Sequence, residues 1–130
     1  MLILAIRTDK PEAELALFDD ATRMATKTWQ AHRQLAETIH AEIVELLKTN
    51  GKTLYDLNGI ACFAGPGSFT GLRIGLAVAN ALAYALDISI VATGGEDWAQ
   101  KATSELRSGK NAIVAVPDYG APVHITMQKK

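Results

Sequence analysis

One cysteine among 130 residues leaves no disulfide to staple the fold, so a packed core has to hold it together. Cys62 lies inside the apolar run Ile60-Ala61-Cys62-Phe63-Ala64, the setting of a buried thiol rather than a nucleophile or ligand. Charge of either sign is not in excess: 13 Lys and Arg against 14 Asp and Glu leave a net charge of −1. The basic residues are scattered, apart from Lys129-Lys130, which argues against a dedicated nucleic-acid surface. No apolar run approaches the length that spans a bilayer, and Met1 to Ile6 is too short for a signal core. His32, His40 and His124 show no metalloprotease spacing. The expectation is a cytosolic globular protein with no membrane contact, no metal and no cofactor.

What is present is an orderly α/β pattern, with 48% hydrophobic residues to supply a core. Leu2 to Ile6 reads as a strand buried on both faces. Glu14 to Phe18 and Thr22 to Trp29 follow across the turn signals Lys10-Pro11-Glu12 and Asp19-Asp20, predicting an antiparallel meander. From Gln34 the period changes: Leu35, Ile39, Ile43, Leu46 and Leu47 recur at helical spacing until Asn50-Gly51. Ile60 to Ala64, Ile88 to Ala92 and Asn111 to Val116 read as further strands, with helices over 71–86 and up to Leu106 between them. Thr93-Gly94-Gly95-Glu96 has capping-box spacing for the last helix. Pro117 to Gly120 is a turn signal, and Val123 to Gln128 alternates as a closing strand.

The densest signal is the block Gly65-Pro66-Gly67-Ser68-Phe69-Thr70-Gly71-Leu72-Arg73-Ile74-Gly75. A phosphate loop of the Walker type ends in Gly-Lys-Ser/Thr, whereas Leu72 and Arg73 follow Gly71 here. The dinucleotide fingerprint fails as well, because its third glycine arrives one residue late. Two readings stay open. Gly65, Gly67, Ser68, Thr70 and Gly71 form a phosphate-binding loop, or the block is a tight corner with Ser68 or Thr70 as N-cap. Beyond it, Gly71, Gly75, Ala79 and Ala83 make a smooth ridge of small residues at a spacing of four. Two glycines inside a helix cost roughly 1 kcal/mol each relative to alanine, which close packing would offset. The ridge packs on the chain's own sheet or on a partner, and a helix this apolar calls for a second partner.

The opening meander, the helix preceded by His and the glycine block resemble the bacterial TsaB family, also called YeaZ. The resemblance covers residue 2 to about residue 98. It implies a ribonuclease-H-like lobe of the actin/sugar-kinase/Hsp70 superfamily, a mixed sheet with helices on its faces. The implied division is a first lobe over 1–108 and a β-hairpin remnant of a second lobe over 109–130. The implied role is a non-catalytic dimerisation subunit of the complex that installs threonylcarbamoyl on an adenosine of ANN-decoding tRNAs. Its implied partner is a TsaD-like catalytic subunit, with a TsaE-like ATPase joining, tRNA bound only through the complex, and homodimerisation when the partner is absent. The expected interface comprises His32, Leu35, Ile39, Ile43, Gly71, Arg73, Gly75, Ala79 and Ala83. Two departures stand out. Arg7 occupies the place where the family usually carries Asp, and an arginine offers only donors, so it cannot ligate Mg²⁺. The expected content is one full lobe and only the first hairpin of the second, so a two-lobe nucleotide cleft is not completed within these residues. The alternatives are a nucleotide-binding, ATPase-like lobe, or a degenerate single-lobe relative outside the tRNA pathway.

Overall fold

The structure, a computed structural model, describes residues 1–67 and 69–116. Ser68, His124, the turn expected at Pro117 to Gly120 and the strand expected at Val123 to Gln128 lie outside the described residues.

Strands β1 (Leu2–Arg7), β2 (Glu12–Asp19) and β3 (Thr22–Gln30) form the expected antiparallel meander. Helix α1 (Leu35–Thr49) follows, then β4 (Gly59–Phe63), α2 (Phe69–Leu86), β5 (Ser89–Thr93) and α3 (Trp98–Arg107). The sheet order is β3-β2-β1-β4-β5, with β4 parallel to both β1 and β5. This is a mixed sheet whose antiparallel half is built from hairpins and whose parallel half needs helical crossovers.

Strand alternation divides the core in two. Leu2, Leu4 and Ile6 of β1 join Leu15, Leu17, Ile60, Cys62 and Ile90 on the face covered by α1 and α2. Ile3 and Ala5 join Ala16, Phe18, Ala61, Phe63 and Val91 on the opposite face, where α3 packs over β4 and β5. Because β1 is buried on both sides, it reads as an unbroken apolar run. Helix α1 buries Leu35, Ile39, Ile43, Leu46 and Leu47, each worth roughly 2 kcal/mol when removed from water. It ends where Asn50 turns its side-chain amide onto the Leu46 carbonyl at 2.8 Å and Gly51 takes a φ of +72°. Edge strand β3 is fastened to α1 by Trp29, whose indole N–H donates to the Thr38 hydroxyl at 3.0 Å. Lys27 adds ion pairs with Glu42 and Glu45.

On the α3 side, no helix lies over β2 and β3 among the described residues. Arg23 covers them instead. Its guanidinium stacks 4.9 Å from the Phe18 ring centroid, bonds the Thr26 hydroxyl and lies 3.8 Å from Glu14. The long stem shields Phe18 while the charged end stays at the surface.

Two local expectations are corrected. Asn111 to Val116 is not a strand. The Asn111 side-chain oxygen accepts from the N–H groups of Ile90 and Ile113, and Asn80 clasps both the N–H and the C=O of Ala115. Those side-chain bonds replace a ladder, and Ile113 at φ +67° breaks the extended path. The capping box at Thr93 does not form either. Helix α3 begins later, with Asp97 in the N-cap position, and the Thr93 hydroxyl bonds the Trp98 carbonyl at 2.6 Å. Gly94 is held against the Gly65 carbonyl, where a Cβ would lie 2.2 Å away, so the segment serves chain crossing rather than capping.

Candidate functional site

The site grows from the end of β1. Thr8 is buried, and its hydroxyl donates to the Gly71 carbonyl at 2.7 Å. Helix α2 crosses that point at backbone contact. A Cβ on Gly71 would sit 2.0 Å from the Thr8 carbonyl oxygen, and one on Gly75 would sit 2.1 Å from the Thr8 hydroxyl. Gly67 meets the same strand end, with its would-be Cβ 2.6 Å from Cβ of Asp9. Gly71 is therefore required by the close approach of two backbones, and Gly75 and Gly67 by the side chains of Thr8 and Asp9.

This placement corrects the expected interface. Gly75, Ala79 and Ala83 lie inside the chain's own core, as do Ile39 and Ile43. The ridge faces the sheet, and none of these five can touch a partner directly. Leu35 is also buried, at the floor of a cleft; His32 and Arg73 remain at the surface. Of the suggested phosphate loop, Gly65 is buried with φ +110°, Gly67 is exposed and Thr70 is exposed at the start of α2.

The side chain of Arg7 engages both oxygens of Asp9, with Nε to Oδ1 at 2.8 Å and Nη2 to Oδ2 at 3.3 Å. The guanidinium also lies 4.0 Å from the centroid of Phe63, which in turn packs edge-to-face on Trp98. A bidentate pair stacked on an aromatic ring is the geometry arginine favours over lysine. The Asp9 side chain in this ion pair is only 8% exposed. Among the described residues no three His, Cys, Asp or Glu side chains group as metal ligands. Burial pushes the Cys62 thiol up to about 12, so the thiolate is absent near neutrality.

Between the end of β1, the turn at His32–Gln34 and the start of α2 lies a cleft of about 350 Å³. Lys10, His32 and Arg33 line it together with Asp9, Thr70 and Gly71. Its shape depends on Pro11, whose carbonyl accepts from the N–H groups of both Ala31 and His32. Sequence reasoning singled out His32 and missed Lys10 and Arg33. The available signal was that the β2–β3 hairpin returns the chain beside Lys10-Pro11 just before the basic pair His32-Arg33. A second, shallower depression holds Thr70, Arg73, Ile74 and Ala77 on the outside of α2.

The β3-β2-β1-β4-β5 sheet with helices on both faces defines an α/β lobe of the ribonuclease-H-like class. A family profile described as "TsaD: tRNA N6-adenosine threonylcarbamoyltransferase" matches residues 29–93. The tRNA threonylcarbamoyladenosine biosynthesis protein TsaB of Escherichia coli is 35% identical over 96 residues, covering 70% of this chain and 39% of that protein. The tRNA N6-adenosine threonylcarbamoyltransferase of Geotalea uraniireducens is 35% identical over 95 residues, covering 73% and 28%. The solved structure of YeaZ from Pseudomonas aeruginosa superposes with a TM-score of 0.66 at 29% identity, covering 72% of this chain and 43% of that one. The chain belongs to the TsaB/YeaZ family. It spans about two fifths of the length of its TsaB and YeaZ relatives.

Proposed function

We propose that this lobe is a non-catalytic scaffold in tRNA threonylcarbamoyladenosine biosynthesis, and that it binds a TsaD-like catalytic subunit through the outside of α2. The names of its relatives supply the pathway. The observation that carries the surface is the composition of α2: Arg73 is the one charged residue in 18, and the helix still has a solvent side. Thr70, Arg73, Ala77, Ala81 and Tyr84 are exposed there, with Ile74, Val78 and Leu82 half-buried beside them. Small and apolar residues around one cation and one exposed tyrosine fit the core of a protein interface. In this reading Gly71, Gly75, Ala79 and Ala83 seat the helix, His32 and Arg73 contribute at the rim, and Leu35, Ile39 and Ile43 hold α1 in place. A TsaE-like ATPase completes the assembly, tRNA is met only through it, and homodimerisation through the same face is the default without a partner.

The test is co-elution with the TsaD-like subunit of the same cell in size-exclusion chromatography. Ala81→Glu places a charge at the centre of the face and should abolish the complex while leaving the fold intact. Unchanged co-elution of that variant would overturn the surface.

One observation favours a second reading: the cleft at the start of α2 presents Lys10, His32 and Arg33 together, an arrangement suited to an anion. Isothermal titration with ATP and Mg²⁺ separates the two readings, since micromolar binding by the isolated chain would favour a nucleotide-binding lobe.

A further inference from the structure

A second depression lies at the other end of α1. Leu35 borders the basic cleft and Leu47 borders this groove, twelve residues and about 18 Å apart along the helix. The groove encloses about 290 Å³ between the last turns of α1 and the short helical turn Leu54–Asp56. Val44, Leu47 and Leu54 supply its apolar wall, and Tyr55 stands beside it 89% exposed. Val44 is itself 40% exposed on a helix whose other large aliphatic residues are buried. None of the described α2 side chains contributes, so the groove is separate from the surface proposed for the TsaD-like subunit.

Charge decides what fits. Lys48 and Lys52 line the groove and, among the described residues, no acidic residue does. Neither lysine forms an ion pair among the described residues, although Lys27 on the neighbouring strand is held by two glutamates. The turn is tied by its own cap: Thr53 N–H donates to the Asp56 carboxylate at 2.8 Å. A preformed apolar slot with two cations at its rim suits a ligand that carries an apolar anchor beside negative charge.

We propose that this groove docks an acidic peptide segment of a partner protein, with one large apolar side chain in the slot and flanking carboxylates on Lys48 and Lys52. The test is selection of a random peptide library displayed on phage against the immobilised full chain. Enriched peptides are then synthesised and titrated into ¹⁵N-labelled protein. The expected consensus is one large apolar residue flanked by Asp or Glu, with amide shifts concentrated at Val44, Lys48, Lys52 and Tyr55. The double variant Lys48→Glu/Lys52→Glu, with an otherwise unchanged spectrum, should weaken binding about tenfold or more, and added salt should weaken it as well. Failure to enrich, a neutral or basic consensus, or shifts elsewhere would overturn the proposal. Concentration-dependent shifts at the same amides without peptide would also overturn it, by making a second copy of the chain the occupant.

Discussion

The two sides of α2 are both built from small and apolar residues, yet they behave as opposites. The inner side, Gly71, Gly75, Ala79 and Ala83, presses on Thr8 and the sheet with no room for a methyl group at either glycine. The outer side, Ala77, Ala81 and Tyr84, meets solvent. On the inside, Gly71 is required by the Thr8 backbone and Gly75 by the Thr8 side chain, while Ala79 and Ala83 are packed in the core. On the outside nothing among the described residues packs against the small residues closely, and that is why the outer side is the candidate for a partner. A stripe of small residues is thus ambiguous by itself, and its neighbours decide its meaning.

The largest effect should come from the inner side. Gly71→Ala places a methyl group against the Thr8 carbonyl, a backbone atom that cannot swing away. Urea unfolding should register a loss of roughly 3 kcal/mol or more, and a near-neutral result would mean that α2 does not lie on Thr8. Next comes the clasp at the end of the described chain. Asn80→Ala removes two bonds to Ala115 and should cost about 1–2 kcal/mol. Hydrogen exchange should show the loss confined to 111–116 if the clasp alone holds that segment.

Arg23→Ala uncovers Phe18, which the chain shields with a side chain rather than a helix. A loss of about 1 kcal/mol with increased binding of a hydrophobic dye is expected; unchanged dye binding would mean that the face is covered some other way. On the outer side of α2, Ala81→Glu should stay within about 0.5 kcal/mol of the parent in urea, in contrast to Gly71→Ala. Equal losses for the two variants would erase the distinction between the two sides.

The smallest effect is a pH dependence. Hydrogen bonding to Glu42 and Glu45 raises the pKa of Lys27 above 10.5, and the Lys27 bond lowers that of Glu45 below 4.5. Lys27 therefore favours the fold below pH 10.5 and loses that contribution as pH rises through its raised value. Glu45 contributes above pH 4.5 and loses it as pH falls. Both groups are solvated, so Lys27→Met should flatten the two flanks of the stability profile only slightly. A large drop at pH 7 would show the pair to be buried in solution.

Much of the fold was legible because its signals are local. The apolar run of β1, the Leu35/Ile39/Ile43 period and the Asn50-Gly51 stop each report the environment of a few neighbouring residues. Asn111 to Val116 misled for the same reason: its apolar content matches a strand, but Ile113 and Ala115 direct their backbone bonds to Asn111 and Asn80 side chains, and only Ala112 reaches β5. The Thr93 spacing suggested a cap, but Gly94 had to pass beneath the Gly65 carbonyl. Arg7 was legible as a residue unable to bind metal, but its bidentate pairing with Asp9 came from the structure. Its stacking on Phe63 was not legible, because that ring arrives from a strand more than fifty residues away.

The sequence by itself determined the elements up to α3, the mixed α/β class and the family, since hydrophobic period and a dense motif are properties of neighbouring residues. Only the tertiary structure decided which side of α2 is inside, where Lys10, His32 and Arg33 converge, and that Lys48 and Lys52 share the rim of an apolar groove. Those facts depend on which backbones cross and at what distance. Alanine and glycine look alike in the chain whether the surface they allow to approach is the protein's own or another's.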